Sequence, residues 1–128
     1  MLGEDSGLEV VALGGAPGIR SARYGAEGRP AIERLLAELE AVVERRARYV
    51  CELVLIGPDG RELRGPGVLE GRIAREARGT EGFGYDPVFV PLGEERTVAE
   101  LGNVWKGRNS HRARAAASLR EAVRPILT

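Results

Sequence analysis

Apolar residues along the chain fall into short runs punctuated by glycine and proline, and their period changes from one run to the next. Leu8-Glu9-Val10-Val11-Ala12-Leu13 reads as a short strand that follows an acidic turn, Glu4-Asp5-Ser6-Gly7, and is broken by Gly14-Gly15-Ala16-Pro17-Gly18. After Pro30 the spacing becomes helical: Ile32, Leu35, Leu36, Leu39, Val42 and Val43 share one stripe, with glutamates and arginines opposite. This predicts an amphipathic helix with proline in its first turn. Arg48 to Ile56 is apolar and β-branched, Pro58-Asp59-Gly60 supplies a turn, and Arg61 to Arg64 returns, so the pair reads as a hairpin. Val68 to Ala74 predicts a further strand, and Gly79 to Pro87 a glycine-rich loop feeding Val88-Phe89-Val90. Thr97-Val98-Ala99-Glu100 has capping-box form, and Ser110 can cap a last helix that carries alanines, Leu119, Val123 and Ile126 or Leu127. No repeat or linker divides the chain, so one mixed α/β domain over residues 1–128 is expected.

Composition narrows the function classes. The 128 residues carry 19 basic and 19 acidic side chains, and this neutrality argues against a nucleic-acid or anionic-membrane binder, which draws affinity from a net basic surface. The single cysteine, Cys51, cannot form an intramolecular disulfide, which fits a reducing, cytoplasmic setting. The longest nearly apolar stretch, Tyr49 to Gly57, is too short to span a bilayer. Within the basic set the balance is lopsided: eighteen arginines stand against one lysine, Lys106, which lies close to the only tryptophan, Trp105, and the only histidine, His111. The arginines elsewhere, Arg45, Arg46 and Arg48 among them, read as solvated surface.

Three clusters could carry chemistry. Glu4-Asp5-Ser6-Gly7 sets two carboxylates and a hydroxyl side by side, suited to a hard cation or a water, or else to a solvated terminus. In Gly82-Phe83-Gly84-Tyr85-Asp86-Pro87, glycines that let a backbone approach a ligand bracket two aromatics and a carboxylate; the alternative is a hairpin corner with Phe83 in the core. Lys106, His111 and Arg112 gather donors around Asn109 and Ser110 where a helix begins, a place that favours an anion or a carbonyl-bearing ligand, or a solvated charged loop.

Taken in order, these clusters with Leu13-Gly14-Gly15-Ala16-Pro17-Gly18, Ser21-Ala22-Arg23-Tyr24 and Ser110-His111-Arg112 resemble the inosine triphosphate pyrophosphatase (XTP/dITP diphosphatase) family over nearly the whole chain, Glu4 to Leu127. The resemblance implies an α/β fold with a mixed elongated sheet flanked by helices and a cleft between two lobes. It implies hydrolysis of ITP, dITP and XTP to the monophosphate and pyrophosphate with Mg²⁺, by a cytoplasmic homodimer. Carried over by motif, Asp5 is the base or metal-held carboxylate that positions water, and Glu4 fills the neighbouring metal-binding position. Ser6 touches phosphate and Phe83 stacks on the purine, with Gly84, Tyr85 and Asp86 shaping the pocket; Lys106, His111 and Arg112 line the base edge.

The chemistry implied has its own physical basis. Hypoxanthine and xanthine present a 6-carbonyl where adenine presents an amino group, so cationic donors such as Lys106 and Arg112 pair with the former and are left unpaired by the latter. The family pattern also places a first strand, a Ser/Thr-Gly-Asn-x-x-Lys phosphate loop, a helix and a metal-binding glutamate ahead of the Asp-Ser-Gly turn. This sequence holds none of them, so the expectation is the C-terminal portion of the fold, N-terminally truncated, with its base-recognition half kept and its phosphate and metal half incomplete. Its alternative is a catalytically impaired nucleotide-binding remnant.

Overall fold

The computed structural model describes residues 2–18, 29–82 and 84–127. The Ser21 to Tyr24 motif and Phe83 lie outside these described residues. Among the described residues, five strands form one sheet in the order β2-β1-β3-β4-β5, with β1 at Leu2–Val10, β2 at Pro17–Gly18, β3 at Arg46–Ile56, β4 at Glu62–Ile73 and β5 at Phe89–Pro91. The sheet expected to be mixed is antiparallel at every pairing among the described residues, within the α/β architecture expected from the sequence. The described residues also hold four helices: α1 at Arg29–Glu38, α2 at Val98–Leu101, α3 at Asn103–Asn109 and α4 at His111–Leu127.

The acidic segment is not a turn. Glu4 to Gly7 belongs to β1, because β3 supplies register partners along all nine residues, from Leu2 opposite Leu55 to Val10 opposite Ala47. Ladder pairing overrides the weak strand preference of Gly, Asp and Ser. Val11–Leu13, expected to continue the strand, forms a 3-10 turn that Gly14 ends with φ 66°. The hairpin of β3 and β4 is as predicted, but β4 is one continuous strand through Gly65-Pro66-Gly67. Pro66 is tolerated there because β5 pairs with Gly71 to Ile73, and among the described residues no strand pairs with the far side of β4 at Pro66.

Strand alternation sorts the side chains into two faces. Leu8, Val10, Ala47, Tyr49, Leu69 and Ile73 bury on one, against Ala31, Ile32 and Leu35 of α1. Cys51 and Leu53 on the same face bury with Ala115 of α4, and Leu119 packs alongside. The opposite face carries a row of charges, including the Arg48–Glu9 pair at 2.6 Å and Arg64 with Glu52. The stripe predicted to run to Val43 is helical only as far as Glu38. Leu39 is nevertheless fully buried, and Arg45 closes the turn beneath it, donating from Nη1 to the carbonyls of Leu39 (2.6 Å) and Val42 (3.2 Å). From Nε and Nη2 it also reaches Ile73 and Ala74, both at 2.9 Å. Arg45 is thus a clamp between α1 and the end of β4, and not the solvated residue its neighbours suggested.

Candidate functional site

Glycine decides where α4 sits. Gly65 and Gly67 lie on the buried face of β4 with the helix backbone resting on them; a Cβ at Gly67 would stand 2.0 Å from the His111 carbonyl oxygen. His111, the first residue of α4, is set by that contact. Ser110 is extended between α3 and α4, and its buried Oγ accepts from the Ala113 amide at 3.1 Å, the cap expected from the sequence. Thr97 likewise caps α2 with a full capping box. Its amide neighbour Ala99 donates to the Asp86 carbonyl at 3.1 Å, which ties the glycine-rich loop to the helices.

Asp86 is 3% exposed and has a cation on one side and a phenol on the other. Lys106 Nζ donates to Oδ2 at 2.5 Å, and the Tyr49 hydroxyl donates to Oδ1 at 3.3 Å. Gly82, at φ 82°, leaves room for this carboxylate, since a Cβ there would lie 2.3 Å from Oδ2. Burial, and then the Asp86 charge, hold the Tyr49 phenol well above its usual range, so it remains a hydrogen donor. The Tyr49 ring stacks on His111 (centroids 4.7 Å apart, 11° between planes) and also meets Phe89, tilted by 37° at 4.5 Å. Burial pushes His111 down to about 4, with Arg112 and Lys106 adding to the effect against the opposing pull of Asp86 and Glu4. The imidazole is therefore neutral, and its Nδ1 is buried with no hydrogen-bond partner among the described residues.

These groups surround a cavity of about 660 Å³ at the meeting of the two apolar clusters. Ser6 enters it from β1; Gly84, Tyr85 and Asp86 from the loop; Lys106, His111 and Arg112 from α3 and α4. The structure thus brings together seven residues singled out by motif, and adds Tyr49, which an ordinary strand pattern had concealed. Glu4 and Asp5 are not brought together, because successive strand residues point to opposite faces. Glu4 stands beside the cavity, where Arg112 grips it through Nε (2.5 Å) and Nη2 (3.0 Å) and Cys51 donates at 3.7 Å. Asp5 is exposed on the other face, opposite Glu52, and lines a smaller cavity of about 300 Å³. Ser6 and Gly7 line both cavities.

This placement does not suit a resident Mg²⁺. The Glu4 carboxylate is occupied by Arg112, Asp5 is turned away from it, and no cluster of three or more His, Cys, Asp or Glu side chains able to hold a metal occurs among the described residues.

The model of the Ham1 family matches residues 1–122. The chain belongs to the Ham1 family. This Ham1 chain is 46% identical over 127 residues to the dITP/XTP pyrophosphatase of Synechococcus sp. (strain CC9311), an alignment covering 98% of the chain and 62% of that relative. It is 52% identical over 116 residues to the dITP/XTP pyrophosphatase of Ignicoccus hospitalis, covering 90% and 60%. Among solved structures, the Staphylococcus aureus Ham1 protein matches with TM-score 0.93 at 41% identity, over 98% of this chain and 67% of that one. A HAM1 protein from Coxiella burnetii matches with TM-score 0.87 at 38% identity, over 97% and 66%. The chain spans less than two thirds of the length of these curated relatives.

Proposed function

We propose that this Ham1 chain takes part in the hydrolysis of deaminated purine nucleoside triphosphates (ITP, dITP, XTP) to the monophosphate and pyrophosphate. The observation that carries the reading is the half-buried Lys106 paired with buried Asp86 at a cavity of about 660 Å³, within the roughly 300–1,000 Å³ of small-molecule pockets. A 6-oxopurine presents a carbonyl beside a ring N–H, which an ammonium beside a carboxylate complements. Adenine reverses both, meeting a donor with a donor and an acceptor with an acceptor, and such mismatches in a buried site reject a ligand strongly. Arg112 adds a second cationic donor beside the pair, and the neutral His111 ring lines the same cavity.

Ser6 and Gly7, shared by both cavities, support a path for the triphosphate across β1 toward Asp5. In this proposal Asp5 orients a water and takes its proton as the oxygen attacks the α-phosphorus, while the bond to the bridging oxygen breaks and pyrophosphate leaves. Mg²⁺ belongs to the proposal as the counterion of the triphosphate, part of the substrate. A homodimer in the cytoplasm, which the resemblance carries, is also proposed, and sedimentation equilibrium measures the first of these. No helix among the described residues is long and apolar enough to cross a membrane.

The test is pyrophosphate release from ITP against ATP by the purified chain, repeated with Asp5→Asn. The proposal expects selective release that falls at least about a hundredfold in the variant, the scale of a lost general base. The grip of Arg112 on the Glu4 carboxylate, which engages one of the two acidic groups of the phosphate half, favours a second reading, a nucleotide-binding protein without turnover. Binding of IMP with no pyrophosphate release would select it.

A further inference from the structure

We infer that Tyr49 is a positioning residue of the purine pocket, one whose hydroxyl sets the Lys106–Asp86 pair and whose ring seats His111, a role that rests on the purine reading of the cavity. Tyr49 stands in the middle of β3, opposite Leu8 of β1 and Leu69 of β4, both buried. A carboxylate held at one oxygen can still turn about its Cβ–Cγ bond. Lys106 holds Oδ2 and the Tyr49 hydroxyl holds Oδ1, so the two donors together fix the plane of the Asp86 carboxylate. That plane determines which acceptor direction faces a base edge, and hence whether ammonium and carboxylate present themselves in register to a carbonyl and an N–H.

The ring acts on the second group. His111 stacks on the Tyr49 ring, and Phe89 packs against the same ring. Phe89 itself cannot slide, because it fills the space over Gly71, where a Cβ would come within 2.7 Å of its ring. The stack is therefore anchored in the sheet at β4 and β5 and ends at the imidazole. One side chain joins both base-facing groups to the rigid centre of the fold, the arrangement by which supporting residues keep a site within productive geometry.

Tyr49→Phe separates the two halves of the role, since it removes the hydroxyl and keeps the ring. Lys106 is the only lysine, so ¹⁵N-lysine labelling yields a single side-chain ammonium resonance. Without any nucleotide, Tyr49→Phe should move that resonance while leaving the circular dichroism spectrum as it was. An unmoved resonance would overturn the link from hydroxyl to Asp86 to Lys106. Calorimetric titration with IMP and AMP then reads function: wild type prefers IMP, and the variant should lose roughly ten- to hundredfold of that preference, the scale of one hydrogen bond to a charged acceptor. In an Asp86→Asn background the same change should cost nothing further, whereas an independent, additive loss would mean that the hydroxyl acts elsewhere. If wild type binds neither nucleotide, the purine reading fails, and the ammonium resonance still decides whether Tyr49 sets the pair.

Discussion

Replacing Gly67 with alanine asks how firmly α4 is seated. The added Cβ would lie 2.0 Å from the His111 carbonyl oxygen, 2.3 Å from the Ala115 amide nitrogen and 2.9 Å from the Ala115 Cα. Ordinary contact begins near 3.5 Å, so the helix must lift by about 1.5 Å or the strand must yield as much. Both surfaces are backbone, and neither has a rotamer through which to escape. Over-packing of this kind costs about 1–3 kcal/mol, and a lift also loosens Ala115 and Leu119 from Cys51 and Leu53. Against this, alanine restricts the unfolded chain and returns about 0.4–1 kcal/mol. The net expectation is a loss of about 1–1.5 kcal/mol. Equilibrium unfolding in guanidinium, followed by far-ultraviolet dichroism, measures it as a lower midpoint at unchanged slope. Gly3→Ala is the matched control, because a Cβ at Gly3 in the same sheet meets nothing within 4 Å. It should be neutral or slightly stabilising. A Gly67→Ala protein as stable as the Gly3→Ala control would refute the claim that α4 rests on the strand backbone.

Three further outcomes follow from named contacts. His111 binds its proton near pH 4 in the fold but near 6.5 when unfolded, so its contribution is complete above pH 6.5 and is lost as pH falls from there toward 4. At 1.36 kcal/mol per unit the ceiling is about 3 kcal/mol, and partial solvent access reduces the expectation to about 1–2; thermal melts from pH 4 to 7 should show this slope, and His111→Phe should flatten it. Arg45→Met removes four bonds to carbonyls at the junction of α1 and β4 and should cost about 2–3 kcal/mol by chemical denaturation, while the corresponding change at exposed Arg46 should cost under about 0.5. Lys106→Arg keeps the charge beside Asp86 but replaces a compact ammonium with a planar fork, and should weaken IMP binding about tenfold in a calorimetric titration.

Local chemistry was the legible part of this fold. The capping box at Thr97, the cap at Ser110, the proline at the start of α1 and the Pro58-Asp59-Gly60 turn each satisfy their own neighbours, so a short window contains the whole reason. What escaped depends on partners distant in sequence. Glu4 to Gly7 are strand because β3 lies beside them, and nothing within those four residues says so. Gly65-Pro66-Gly67 looks like a break until α4 is laid on it. Arg45 resembles Arg46 and Arg48 in sequence, and only the return of β4 beneath it supplies the carbonyls that distinguish it. The candidate site divides in the same way. The Gly84 to Asp86 and Lys106 to Arg112 clusters stand out by residue type, whereas their convergence on Tyr49 required the register of β3. Glu4 and Asp5 lie on opposite faces of β1 for a reason the sequence could have supplied, had they been read as strand: adjacent strand residues face apart.

The sheet also carries an order of assembly. β3 and β4 share eleven register pairs closed by a loop of only five residues, from Gly57 to Arg61, so the entropy lost in joining them is small and local. β1 adds nine pairs, but the whole stretch from Val11 to Arg45 must be looped out before the first of them forms. The long hairpin is therefore the natural template, with β1 docking late onto an edge already made. The strand that joins after the hairpin bears Glu4, Asp5 and Ser6, so the residues proposed to handle phosphate are set in place only once the β3–β4 template exists.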